Sequence, residues 1–115
     1  MHEIGLAGDI VRMVQDAAAR DRFSRVAQLR LEAGALAGVE PDALRFALDA
    51  LVPGTVLDGA EITIDEPPGT AWCGQCAATV EIGSRAEACP DCGGYPLRPT
   101  GGTELRVLDL VVVDD

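Results

Sequence analysis

The sequence has no lysine, one histidine and very few aromatic residues, four in all: one Trp, one Tyr and two Phe. Its cations are nine arginines set against 19 acidic residues, a formal charge of −10. That balance repels phosphate backbones and anionic lipid surfaces, so nucleic acid is not an expected partner. No stretch approaches the roughly 20 apolar residues needed to cross a bilayer, and the start lacks a basic leader followed by an apolar run. No membrane association is expected, and the expected location is the cytoplasm. The acidity is spread along the chain and so serves solubility first, with attraction of metal cations or a basic partner second.

What is present is a chain of 115 residues, 48% hydrophobic, whose core must be built from Leu, Val, Ile and Ala. The length suits one small core plus a metal-stapled module unable to fold unaided. From Ile4 to Arg20, Leu6, Ile10, Met13, Val14 and Ala17 recur at three- and four-residue spacing and predict an amphipathic helix. Ala27, Leu29, Leu31 and Ala33 alternate with polar residues, which predicts a half-buried strand. Pro41 and Asp42 suit the first turn of a second helix, with Leu44, Ala47, Leu48 and Leu51 on one side and a stop before Pro53-Gly54. Ile62 and Ile64 mark a short strand, and the Leu- and Val-rich run from Glu104 to Val113 a final one, buried on one or both faces.

The expected fold class is α/β. A small three-stranded sheet with two helices covering one face would form from residues 1–69 and 101–115. An inserted zinc-ribbon-like module would occupy 70–100.

Cys73-Gly74-Gln75-Cys76 and Cys89-Pro90-Asp91-Cys92 are two C-x2-C units separated by twelve residues. Each can turn tightly with both sulfurs inward, and two facing turns supply a tetrahedron of thiolates. Zinc suits such a set, and four protein ligands leave no open position, so the ion should be structural. An iron–sulfur site or a redox pair are the competing readings. A redox pair needs one C-x2-C at a helix start beside a strand, a context that neither pair has. Trp72, Val80, Ile82, Tyr95 and Leu97 are the sizeable apolar residues in and around the module, too few for an independent core. The metal should replace that core.

His2 follows Met1, whose amine could join the amide and imidazole of His2 and the amide of Glu3 in a plane of four nitrogens. Square-planar nitrogen favours Ni(II) or Cu(II) over zinc. A lone histidine near a terminus is, by itself, more often an ordinary surface residue. A hydrolase is not expected, because no nucleophile and base stand at a recognisable spacing.

Met1-His2-Glu3-Ile4 opening a helix, GALAGVEPDALRF from Gly34 to Phe46, GTVLDGA from Gly54 to Ala60, and AWCGQC from Ala71 to Cys76 closely resemble the HypA family of hydrogenase-maturation nickel metallochaperones. The resemblance covers essentially the whole chain. It implies a non-enzymatic carrier in which His2 is the essential nickel ligand, Met1 and Glu3 contribute backbone nitrogens, and Cys73, Cys76, Cys89 and Cys92 hold structural zinc. Glu40 lies where some relatives place an acid near the nickel. The implied partners are a nickel-incorporation GTPase and the large subunit precursor of [NiFe]-hydrogenase, with urease served by some members. This sequence departs from certain relatives in having no histidine beside its cysteine pairs, so a pure four-thiolate site is expected and any pH response of nickel should come mainly from His2.

Two other classes compete with the carrier. A protein-interaction adaptor would keep its activity without His2, and a nucleic-acid-binding zinc ribbon would need a basic face, whereas only Arg85 and Arg98 lie near the cysteines.

Overall fold

The computed structural model describes residues 2–113, which form two helices and six strands in the order α1 His2–Asp21, β1 Arg25–Ala33, α2 Pro41–Leu51, β2 Glu61–Asp65, β3 Gly69–Cys73, β4 Ala78–Ile82, β5 Leu97–Gly101 and β6 Leu105–Val113. The strands make two three-stranded sheets, β2-β1-β6 and β4-β3-β5.

Helix α1 buries Ala7, Ile10, Val14 and Ala18, a row stepping by three and four residues. This corrects the expected stripe, because Met13 is 55% exposed and Ala7 and Ala18 take inward places. Met13 lies about 100° round the helix from the centre of that row, so an apolar side chain at a plausible spacing still ends up outside. Glu3 in the first turn and Arg20 in the last complement the helix dipole. Arg22 ends the helix in the left-handed region at φ 60, and the Phe23 N–H closes back on the Ala18 carbonyl at 3.2 Å.

In β1 the buried residues are Val26, Leu29, Leu31 and Ala33. Ala27, expected inward, faces out, because the alternation slips between Val26 and Leu29. The start of the strand is tied elsewhere, with the Val26 N–H donating to the Val56 carbonyl at 2.9 Å. Helix α2 packs on α1 and buries Leu44, Ala47 and Leu48. Leu51, expected on that face, is 39% exposed at the last turn. Leu57, in the loop that follows, is fully buried. Residues paired between β1 and β6 run in opposite directions: Arg30 bonds Asp109 at 2.6 Å, and Arg106 bonds Glu32 at 2.9 Å. This antiparallel edge strand is less buried than its composition suggests, since no residue of β6 is fully buried and Val111 is 48% exposed.

The chain divides into two compact units. The first holds α1, β1 up to Leu31, Glu40–Ile64 and β6 from Val107, and its buried side chains come from both helices, β1 and Leu57. The second joins Glu32–Val39 to Asp65–Arg106 and contains the β4-β3-β5 sheet. Both β4 and β5 run antiparallel to β3, with Cys73 opposite Ala78 on one side and Leu97 on the other.

The strands in this second unit go beyond the expected module held by metal alone. Leu36, Ala71, Cys73, Val80, Ile82 and Cys89 form a small core with Leu97 packed on it. Of the five sizeable apolar residues in and around the module, Trp72 and Tyr95 are exposed and add nothing to this core. Gly69 is required where it stands, because a Cβ would come within 2.6 Å of both the Ile82 carbonyl oxygen and Leu36.

Candidate metal centres

Cys73 ends β3, and the chain turns through Gly74-Gln75 so that the Cys76 N–H donates to the Cys73 sulfur at 3.5 Å. The second pair is closed by its own turn. The Gly93 N–H donates to the Cys89 carbonyl at 2.8 Å, with Gly93 at φ 73, and the Cys89 N–H donates to the Gly94 carbonyl at 3.1 Å.

All four sulfurs lie within 4.8 Å of one another. Cys73 and Cys92 are 3.7 Å apart, and Cys76 and Cys89 are 3.9 Å apart. A tetrahedron of sulfurs around zinc, with bonds of roughly 2.3 Å, has edges of about 3.8 Å, so the cage already has the size that the ion requires. The thiols are all free of disulfide. Two face the core, Cys73 and Cys89, and two face solvent, Cys76 and Cys92.

Proton affinities in this cage are split. Cys73 is drawn down to about 7, first by the Cys76 N–H that donates to it. Cys76 is pushed up to about 12, chiefly by its side-chain contacts with Cys92 and then Cys73. The Gly94 N–H and the Cys76 sulfur pull Cys92 down, but burial and the sulfurs of Cys73 and Cys89 outweigh them, and its pKa ends raised. Four sulfurs this close cannot all ionise on their own, and a dication removes the conflict by binding every thiolate at once. Zinc therefore fits this donor set, and with no position left open its part is structural.

His2 opens α1 with its side chain 59% exposed, and its Nε2 stands 3.4 Å from Glu3 Oε2. The Glu3 carboxylate also accepts the Glu40 N–H at 3.3 Å. This bond is the first cause holding the Glu3 pKa below its usual value. The Glu40 carboxylate is itself occupied, because it accepts the Asp42 N–H at 3.2 Å and caps α2. The structure thus brings His2, Glu3 and Glu40 together, while Met1 lies outside the described residues. Among the described residues, only the four cysteines gather three or more ligand side chains around one point.

Gln75, which no spacing rule marks as functional, places its Oε1 3.3 Å from Cys92 Sγ. A polar side chain inside a C-x2-C turn was the available signal.

A family model described as "Hydrogenase/urease nickel incorporation, metallochaperone, hypA" matches residues 1–112. The chain belongs to the HypA family. A "Hydrogenase maturation factor HypA" of Polaromonas naphthalenivorans is 57% identical over 115 residues, covering 100% of both chains. The HypA of Cupriavidus necator is 59% identical over 114 residues, 99% of this chain and 96% of its own. The solution structure of the Ni metallochaperone HypA from Helicobacter pylori has the same fold, with a TM-score of 0.69 at 16% identity and complete coverage of both chains. The resemblance drawn from MHEI, AWCGQC and the two C-x2-C pairs is thereby confirmed. HypA proteins are nickel metallochaperones and not enzymes, so nickel is cargo here and the four-cysteine cage fits structural zinc. As a hydrogenase maturation factor, the protein works with the maturation machinery. No helix among the described residues is long and apolar enough to cross a membrane.

Proposed function

We propose that this HypA protein takes up Ni(II) at its own start, through the Met1 amine, the amide and imidazole of His2 and the amide of Glu3, and passes it on in the cytoplasm. The receiving partners are the maturation GTPase and the large subunit precursor of [NiFe]-hydrogenase. In this reading residues 1–69 and 101–115 serve nickel, and 70–100 serve zinc through Cys73, Cys76, Cys89 and Cys92.

The observation that supports it is the placement of His2 and Glu3 in the first turn of α1. The first four N–H groups of a helix have no intrahelical acceptor, so a metal that takes those amide nitrogens breaks no helix hydrogen bond. Planar nitrogen coordination suits nickel and is unfavourable for zinc, which separates cargo from structural ion by geometry. Release follows from the same chemistry, because imidazole and amide nitrogens must lose protons to bind and regain them as the ion leaves.

The test is metal analysis with nickel titration on tag-free protein, His2→Ala, and a form with residues added before Met1. Native protein should show a planar low-spin nickel centre that weakens on mild acidification, with zinc at one per chain. Both altered forms should lose nickel and maturation activity yet keep zinc. Nickel binding that survives in either would overturn the terminal site, and activity surviving without nickel would favour an adaptor.

A further inference from the structure

Gln75 belongs to the first cysteine turn but reaches across to the second. Its Oε1 is 3.3 Å from the sulfur of Cys92, one of the two thiols on the solvent side of the cage. Its position is shaped by Gly94, because a Cβ there would collide with the Gln75 carboxamide and come within 3.2 Å of Cys92 Sγ. The missing side chain at Gly94 therefore makes the groove in which the carboxamide lies.

A carboxamide presents its oxygen or its NH2 group by a half-turn about its last bond. Toward a protonated Cys92 the oxygen accepts the S–H. Toward a metal-bound thiolate, which has no proton to give, the same contact is favourable only when the NH2 group donates to sulfur. Hydrogen bonds to zinc-bound thiolates hold the ligand in place and quiet its nucleophilicity.

We propose that Gln75 is a positioning residue for the zinc site, bridging the two cysteine turns and donating to the Cys92 thiolate so that the outermost ligand is neither released nor attacked first. The proposal rests on the zinc reading of the four cysteines. Cys73 and Cys89 are protected by the core around them. Cys92 has no such cover, and Gln75 with the Gly94 N–H supplies its polar support.

The decisive comparison uses Gln75→Ala and Gln75→Glu in the full chain. Glu keeps the shape of Gln, yet as a carboxylate it has no proton to donate and repels the thiolate. Zinc content would be measured first, then the rate of zinc transfer to a chromogenic chelator. Last would come the order in which iodoacetamide labels the cysteines, mapped by peptide mass. The expected result is one zinc per chain in all three proteins, loss roughly 10-fold faster in both variants, and Cys92 labelled first in each. Wild-type loss rates in Gln75→Glu would show that only packing matters and overturn the proposal, as would wild-type rates in both variants. A wild-type protein that carries no zinc would instead refute the zinc reading beneath it.

Discussion

The backbone N–H of Glu40 donates to the carboxylate of Glu3 at 3.3 Å, fastening the first turn of α1 to the residue that caps α2. Glu3 thus carries two duties in one residue. Its side chain ties two helices and also accepts its own backbone N–H, the nitrogen that the nickel chelate proposed above would take.

The tie should be pH-dependent with a definite sign. Glu3 has a depressed pKa in the folded state, so its contribution is fully present above the ordinary carboxylate value of 4.5 and fades as pH falls through the lower folded value. Amide exchange should show the Glu40 N–H losing protection in that acid range, and losing it at neutral pH in Glu3→Ala. Equal protection of Glu40 in Glu3→Ala and the native protein would show that the contact does not hold the helices together.

Removing zinc should strike one unit before the other. Metal binding supplies on the order of 10 kcal/mol to folds of this kind, and the core around Cys73 and Cys89 is small. A strong chelator is therefore expected to erase the amide protection of β3, β4 and β5 while α1 and α2 keep theirs. Simultaneous loss in both sets of elements, followed by exchange mass spectrometry, would contradict this.

Two neighbours on α2 should differ sharply. Leu48 is fully buried, and Leu48→Ala should cost about 2–5 kcal/mol through lost burial and the cavity left behind. Phe46 is 77% exposed, so Phe46→Ala should stay within about 0.5 kcal/mol. Urea unfolding midpoints decide the matter, and comparable shifts in the two variants would mean that the helix is turned differently from the one described.

Glycines offer an opposite pair. A Cβ at Gly34 would collide with the Gly102 backbone, so Gly34→Ala must displace the chain there. Nothing lies within 4 Å of the corresponding position at Gly8 in α1, and Gly8→Ala should stabilise by up to about 1 kcal/mol. Thermal melts should therefore move in opposite directions, and a stabilised Gly34→Ala would disprove the close approach.

Much of this was legible from residue types. Helix α2 spans Pro41–Leu51 as expected, because Pro41 suits a first turn and Pro53 forbids continuation. The thiolate cage was legible because the spacing of its four cysteines is a metal-site pattern. The β4-β3-β5 sheet was not, for a physical reason: Cys73 is both a ligand and an inward strand residue, and reading it only as a ligand hides the alternation of Ala71, Trp72 and Cys73. Met13 and Leu57 show a second limit, since periodicity fixes that a helix has an inner face but not its centre, and a lone Leu in a turn-rich loop carries no period at all.

The sulfurs of Cys73 and Cys89 do double service, gripping an ion on one side and filling the interior beside Leu36, Ala71, Val80 and Ile82 on the other. Whatever plucks the ion away must also unseat part of that filling. Metal occupancy and the firmness of the small sheet are therefore coupled through the same two side chains.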